Sequence, residues 1–203
     1  MNRISEFVYG VVLALAALAS AAGAQSPQPD SALRTPLERT LGRPGVSLPG
    51  GVVKFSFPRT DLTVVADGVK LEAVFALGGW VGFKKTGRGM TMAMGDLVLT
   101  EDEVNPVMLA LQAGGVDQTA VHNHLLGELP RIIYVHIAAH GDEARVAAAI
   151  HNAIAATKIP AASPPSAVLP TDLDVAGIAK MLGYTGRLNG VVYQVSVPRP
   201  ENI

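Results

Sequence analysis

Histidine is the side chain best suited to chemistry in this sequence, and its distribution is uneven. All five histidines lie between residues 122 and 151, and the chain contains no cysteine. Three of them, His122, His124 and His136, belong to two segments, 116–125 and 131–139, that are each typical of a β-strand. Imidazole titrates near neutral pH and is a common metal ligand. The pattern therefore predicts a functional site where these two strands meet.

The alternation of residues along a strand predicts which way the histidines face, because every second side chain points to the same side of a sheet. His122 and His124 share one face of the first strand. On the second strand His136 faces one way, and Val135 and Ile137 face the other. The apolar pair belongs against helices. We therefore expect the histidines on the sheet face that the helices leave open.

The pairing of the two strands decides which histidines meet. A tight hairpin between them places His122 directly or diagonally beside His136, about 5–8 Å away. His122 and His124, two residues apart on a strand, are separated by about 6.6 Å. These three imidazoles are therefore predicted to form one cluster. His140 lies further along its strand, and His151 is predicted to be a surface residue of a helix.

Three imidazoles on a rigid sheet suit a divalent transition metal (Zn, Cu or Ni) and leave positions for water or a ligand. A carboxylate from Glu101 or Glu128 could complete the ligand set. We predict a protein that binds a transition metal or a small ligand through His122, His124 and His136. Two alternatives fit the same residues. One is a metal-dependent hydrolase in which Glu128 or Glu101 is the general base for a metal-bound water. The other is a metal-free interaction module of the cell envelope.

The N-terminal 24 residues are typical of a cleavable secretion signal. Arg3 provides a positive charge, residues 8–19 form an apolar run, and residues 22–24 have the small side chains that signal peptidase requires. The run is shorter than the roughly 20 residues of a membrane-spanning helix. We therefore predict a periplasmic or secreted protein that starts at Gln25 and has no membrane span after cleavage.

The composition narrows the classes of partner. The chain has 16 basic and 17 acidic residues, and no basic cluster, which argues against nucleic acid. Aromatic residues make up 5% of the chain, too few to suggest a stacking platform for single strands. Without cysteine, neither disulfides nor thiolate ligands are available, so stability must come from a packed core.

In the middle of the chain the sequence predicts the order strand, helix, strand, strand, helix. The first of these helices begins with a capping box formed by Thr100 and Glu103. One further strand, from 190–197 or from 51–57, would complete the split βαβ arrangement of a ferredoxin-like domain. The predicted fold class is therefore α+β, an antiparallel sheet with two helices on one face, preceded by a β-rich N-terminal part. That part includes strands at 62–66 and 70–77, which a tight turn at Asp67 and Gly68 joins.

Three segments of the chain, 95–106, 119–126 and 130–137, resemble the LppY/LpqO family of bacterial exported proteins, a family of unknown function. The block His-Asn-His-Leu-Leu at 122–126, followed by Pro130-Arg131, carries most of the resemblance. His122, His124 and His136 match the family pattern. The resemblance implies no activity. It does imply tandem copies of one unit in typical members, some of which resemble lipoproteins, whereas this chain has no cysteine to acylate.

An internal repeat agrees with the tandem copies. Residues 41–59 and 182–199 match with one gap, and both end in Ser-x-Pro-Arg. The predicted organisation is a signal peptide at 1–24, a disordered linker at 25–32, the family domain at 33–159, a linker at 160–171, and at 172–203 either the truncated start of a second copy or a helix and strand that complete the first.

Overall fold

The computed structural model describes residues 31–162 and 171–198. The predicted signal peptide, and most of the predicted linkers at 25–32 and 160–171, lie outside these residues. The helices are α1 (Ser31–Leu41), α2 (Ala73–Ala76), α3 (Glu101–Ala113), α4 (Glu143–Ala155) and α5 (Val175–Leu182). The strands are β1 (Val46–Leu48), β2 (Val52–Pro58), β3 (Val65–Ala66), β4 (Val69–Lys70), β5 (Gly78–Gly87), β6 (Met90–Thr100), β7 (Asp117–His122), β8 (Ile132–Asp142), β9 (Arg187–Asn189) and β10 (Val192–Gln194).

A six-stranded antiparallel sheet organises the fold, with the strand order β1-β2-β5-β6-β8-β7. Two small hairpins, β3–β4 and β9–β10, lie outside it. This confirms the α+β class. β8 lies between β6 and β7 and runs antiparallel to both, so β6, α3 and β7 form the predicted split βαβ unit.

The strand that completes this unit is not one of the two that the sequence suggested. β5, which precedes β6 in the chain, pairs with its free edge. Residues 51–57 form most of β2, which pairs with β5 one position further out. Residues 190–197 contribute β10, which pairs with β9 and not with the large sheet. The connection between β5 and β6 is short, so β5 pairs with β6 and occupies this edge.

One face of the sheet is covered by three helices. Alternate residues of the central strands, Val81, Leu97, Val135 and Ile137 among them, pack with apolar side chains of α1, α3 and α4 in the larger hydrophobic cluster. The helices present residues at the spacing of one helical face, as α3 does with buried Val107 and Leu111. Each fully buried side chain of this size contributes about 1.5–3 kcal/mol relative to an exposed one. This cluster is the main core.

The opposite face is covered at one end by residues 59–77. Leu71 and Leu77 from this segment pack with Val98, Ile132 and Tyr134 of the sheet in a second, smaller cluster. In the described part of the chain, the helices of the main core, α1, α3 and α4, all pack on the other face. Large apolar side chains are exposed on the face of the smaller cluster, namely Trp80, Met92 and Met94.

The predicted hairpin within residues 59–77 is present, but one of its predicted strands is wrong. Asp67 and Gly68 have φ values of 48° and 79°, the positive values that a two-residue type I′ turn requires. The strand predicted over 70–77 stops at Lys70, and α2 follows. Eight extended residues would span about 26 Å. A helical turn rises only about 1.5 Å per residue, which keeps the segment over the small cluster.

A buried ion pair joins this cover to the helix layer. Arg59, at the start of the segment, is fully buried and contacts Glu103 in the first turn of α3, with Nη1 2.6 Å from Oε2. Arg59 also donates to the Val98 carbonyl and to Asp61. Glu103 accepts from the backbone N–H of Thr100, its half of the predicted capping box. The two sides of the sheet are therefore tied together at this end.

The C-terminal segment, residues 171–198, follows the same order of elements as the start of the described chain. α1 is followed by Gly42 (φ 65°) and the β1–β2 hairpin, and α5 by Gly183 (φ 72°) and the β9–β10 hairpin. α1 buries three leucines in the main core, whereas α5 buries no residue. Among the described residues, none of the helices has both the length and the apolar character needed to cross a bilayer.

Candidate metal site

The site is built on β7 and β8 where they pair beside β6. Tyr134 lies opposite His122, and His136 lies opposite Asp96 on the other neighbouring strand. His136 points away from the helices, because its neighbours Val135 and Ile137 belong to the helix-side core. The predicted division of β8 into an apolar helix face and a histidine face is confirmed.

The structure brings the three predicted histidines together. One ring nitrogen from each of His122, His124 and His136 lies within 4.8 Å of the other two. The ring centroid of His122 is 4.9 Å from that of His124 and 4.6 Å from that of His136. The cluster could hold a metal ion, since all three side chains offer nitrogen donors to one point.

The reason that the sequence analysis gave for the position of His124 is wrong. The strand predicted over 116–125 ends at His122, so strand alternation does not set the direction of His124. The Asn123 side chain donates to the Ile132 carbonyl at 2.8 Å, a bond that ties the chain to β8 just past the end of the strand. The His124 ring then stacks on Tyr134, with centroids 3.5 Å apart and planes 12° apart. A side-chain hydrogen bond and ring stacking therefore replace the strand.

Asp96 is a site residue that the sequence analysis missed. Its Oδ2 lies 3.7 Å from Nε2 of His136 and 3.9 Å from Nε2 of His124. Its Oδ1 is buried and has no hydrogen-bond partner. The sequence of β6 did contain a signal for this residue. Asp96 is the acidic residue of an otherwise apolar strand, and its side chain points away from the face of Leu97 and Leu99. The alternation of side chains along the strand would therefore have predicted Asp96 on the same face as the histidines.

The cluster is half enclosed. The side chain of Asp96 is 15% exposed, whereas those of His124 and His136 are 41% and 44% exposed. Nδ1 of His122 is buried without a hydrogen-bond partner. An ion could therefore enter from solvent, while the carboxylate and one imidazole edge are shielded from water.

Burial dominates the electrostatics of the site. It raises the pKa of Asp96, and the neighbouring histidines, His136 foremost, partly oppose that rise. Burial lowers the pKa of His124, and Asp96 partly opposes that fall. It also raises the pKa of the Tyr134 phenol to about 12, so this hydroxyl stays protonated and donates to the Ala76 carbonyl at 2.7 Å. Neutral imidazole is the form that binds metals.

The two glutamates proposed from the sequence are placed differently. Glu128 is buried, and its Oε1 accepts from the Ile132 N–H, while its Oε2 has no hydrogen-bond partner. Glu101 is the first residue of α3, which packs on the opposite face of the sheet. The carboxylate within 4 Å of two of the clustered imidazoles is that of Asp96.

The other two histidines lie outside the cluster, as the sequence predicted. His140 is exposed on β8, and its Nε2 is 2.8 Å from Oγ1 of Thr86. His151 is exposed on α4. Neither belongs to the group of nitrogen donors that gather around one point.

A protein-family model matches more than half of the chain. Residues 35–156 match the sequence model of a family described as Domain of Unknown Function (DUF1259), and the chain belongs to this family. The matched region contains the whole histidine cluster and Asp96. No curated protein and no solved structure matches the chain.

Proposed function

We propose that this protein binds a divalent transition-metal ion through His122, His124 and His136. The observation that carries the proposal is the gathering of one ring nitrogen from each histidine within 4.8 Å. A tetrahedral ion with bonds of about 2.0–2.1 Å to imidazole nitrogen needs donors about 3.3 Å apart. Side-chain rotations that close the gap by up to about 1.5 Å would bring the nitrogens to that spacing.

The surroundings of the histidines support metal binding. His122 and His136 lie on hydrogen-bonded strands, and stacking on Tyr134 holds His124, so little freedom is lost when an ion binds. Burial favours the neutral form of His124, which has a lone pair to offer. Imidazole nitrogen suits Zn²⁺, Cu²⁺ and Ni²⁺ rather than Mg²⁺ or Ca²⁺. We therefore propose one of these three metals as the bound ion.

The positions of the glutamates favour binding over hydrolysis. A metal-dependent hydrolase needs a carboxylate that can take a proton from a metal-bound water. Oε1 of Glu128 is engaged by the backbone, and Glu101 stands in the helix layer. The hydrolase therefore remains the second candidate, and replacing Glu128 with glutamine while metal stays bound would test it. Turnover that depends on Glu128 would support it.

The open sheet face favours a third candidate, an interaction or ligand surface beside the histidines. Trp80 lies directly across from Asp96, and Met94 is the next residue along β6 on the same face, and both are exposed. Contiguous exposed apolar side chains often mark a site for a ligand or a partner. Metal-free protein that retains a ligand or partner on this face would support this candidate.

We also propose that the protein is exported and that its family is the one called LppY/LpqO. The apolar run at 8–19 and the small residues at 22–24 support export, and the block at 122–126 supports the family. The matching order of elements around α1 and α5 supports an internal repeat of the start of the domain. Mass spectrometry of the chain recovered from a bacterial periplasm should show a first residue Gln25. An intact N-terminus in the cytosolic fraction would contradict export.

Elemental analysis tests metal binding most directly. The chain, purified without a histidine tag, should carry or take up about one equivalent of Zn, Cu or Ni. The double variant His122→Ala/His136→Ala should bind none. The matched control is His140→Ala/His151→Ala, which removes two histidines outside the cluster and should bind as the parent does. No metal in the parent after titration would overturn the proposal.

A further inference from the structure

We propose that Asp96 is the fourth metal ligand, so that three histidines and one aspartate form a closed four-coordinate shell of the kind that Zn²⁺ prefers. This inference rests on the proposed metal binding and goes beyond it. It names the ligand set, the coordination number and the metal, and it separates a holding site from a hydrolytic one.

The position of Asp96 in the sheet supports this role. It lies directly opposite His136 on the adjacent strand, and both side chains point to the face opposite the helix-side core. Side chains directly opposite each other in an antiparallel pair have Cβ atoms about 4.5–5.5 Å apart. The backbone pairing of β6 and β8 therefore holds this carboxylate beside the cluster without help from a loop.

The distances fit a shared ion better than a hydrogen bond. Oδ2 of Asp96 is 3.7 Å from Nε2 of His136 and 3.9 Å from Nε2 of His124. In hydrogen bonds, the nitrogen and oxygen atoms are about 2.7–3.2 Å apart. Two ligands of one tetrahedral zinc ion, each with a bond of about 2.0–2.1 Å, lie about 3.3 Å apart. A contraction of roughly half an ångström brings Oδ2 of Asp96 to that spacing from both Nε2 atoms.

The surroundings of the carboxylate give a second, independent reason. Oδ1 is buried without a hydrogen-bond partner. Within the described part of the chain, the imidazoles of His124 and His136 are the groups able to carry positive charge that come within 4.0 Å of the carboxylate. A largely buried carboxylate is costly when its charge is not compensated. A divalent cation between the imidazoles and Asp96 supplies that compensation and leaves the imidazoles neutral.

The ligand set has a chemical consequence. Four protein donors fill a tetrahedral shell, as in closed structural zinc sites, whereas a catalytic zinc keeps one position for water. The aspartate also lowers the net charge of the loaded site by one. Because His124 and His136 are partly exposed, the ion can still exchange with solvent. The site is therefore built to hold and release Zn²⁺ rather than to activate water.

The test compares Asp96→Asn with the parent chain. Asparagine keeps the size of the side chain and removes its charge. We expect Zn²⁺ affinity, measured by competition with a chromophoric chelator, to fall by more than about 100-fold, beyond the 10–100-fold typical of outer-shell partners. Co²⁺ in the parent should give the intense visible absorption of a tetrahedral ion. In the variant this absorption should weaken as water replaces the carboxylate.

The controls separate the possible failures. Asp67→Asn makes the same charge change at an exposed turn and should leave affinity and spectrum unchanged. The metal-free Asp96→Asn chain should unfold at a temperature equal to or above that of the parent, which excludes a folding defect. A second variant, Asp96→Ser, should lose affinity in the same way. If the parent binds no metal, the proposed function fails. If it binds and Asp96→Asn keeps the affinity and the Co²⁺ spectrum, only the role of Asp96 fails.

Discussion

The two faces of the six-stranded sheet are covered to different extents. The helix face packs along its length against α1, α3 and α4 and contains the larger cluster. Among the described residues, the other face carries a hydrophobic cluster at one end, under residues 59–77, and Met92 and Met94 are exposed further along. The histidine cluster lies at the edge of that cover. One side of the cluster is therefore held by packing, and its other side is open to an ion.

The contrast is sharpest at two neighbouring residues of β6. Leu97 is fully buried against the helices, and Asp96, the residue before it, lies beside the histidines. Strand alternation alone separates them. One strand can therefore serve stability and chemistry at consecutive positions, which means that substitutions at each should affect different measurements.

The largest effect is expected at the buried ion pair of Arg59 and Glu103, which joins residues 59–77 to the helix layer. Glu103→Gln removes one of the two carboxylates that neutralise fully buried Arg59, the other being Asp61. The free energy of unfolding should fall by about 3 kcal/mol, the lower end of the cost of breaking a buried pair, because Asp61 still compensates part of the charge. Denaturant unfolding monitored by circular dichroism measures this. Glu101→Gln, an exposed change in the same helical turn, is the control and should cost little. Equal effects for the two variants would contradict the role of the ion pair.

The ionisation of Glu103 should make the free energy of unfolding depend on pH. Burial alone would raise the pKa of Glu103, but hydrogen bonds from Arg59 and from the backbone N–H groups of Lys158 and Thr100 outweigh it and lower that pKa. The resulting stabilisation is fully present above the unfolded pKa of about 4.3. It is lost as pH falls through the lower folded pKa. Glu103→Gln should therefore flatten the loss of stability below about pH 4.

The next-largest effect tests whether a substitution on the helix-covered face changes stability without changing metal affinity. Leu97→Ala leaves a cavity in the main core and should cost about 3 kcal/mol. At temperatures where the variant is folded, its metal affinity should stay within about twofold of the parent. Met94→Ala, an exposed position on the other face of the same strand, is the matched control for stability. A large loss of affinity in folded Leu97→Ala would show that the faces are coupled.

A smaller effect is expected at the loop that carries His124. Asn123→Ala removes the hydrogen bond to the Ile132 carbonyl and should cost about 1 kcal/mol of stability. Because that bond positions His124, metal affinity should fall by about tenfold, as for other outer-shell groups. Thr119→Ala, at an exposed position of β7 before this loop, should change neither quantity. Unchanged affinity in Asn123→Ala would show that stacking on Tyr134 alone positions His124.

The smallest effect defines where the site ends. His140→Ala removes an exposed imidazole from the same strand as His136 and should change stability by less than about 0.5 kcal/mol. Calorimetric titration should give the parent's metal stoichiometry and affinity. A loss of binding would extend the site along the open face toward Thr86.

The sequence predicted the features that depend on local periodicity. The helix at 101–113, its first-turn glutamate, the turn at Asp67 and the two faces of β8 all follow from spacing between near neighbours. It failed where distant segments compete for one place. β5 takes the edge of β6, and α2 replaces a strand because residues 59–77 must fold over the small cluster.

Part of the candidate site could likewise be predicted from local periodicity, and part depends on distant segments. The sequence by itself determined that His122 and His136 share a face, because strand alternation is a property of the backbone. Only the tertiary structure decided that Asp96 joins them, since that requires β6 to lie beside β8, and that His124 turns back onto Tyr134 through the side chain of Asn123. Local geometry sets the direction of a side chain, whereas its neighbours depend on how the strands are ordered in space.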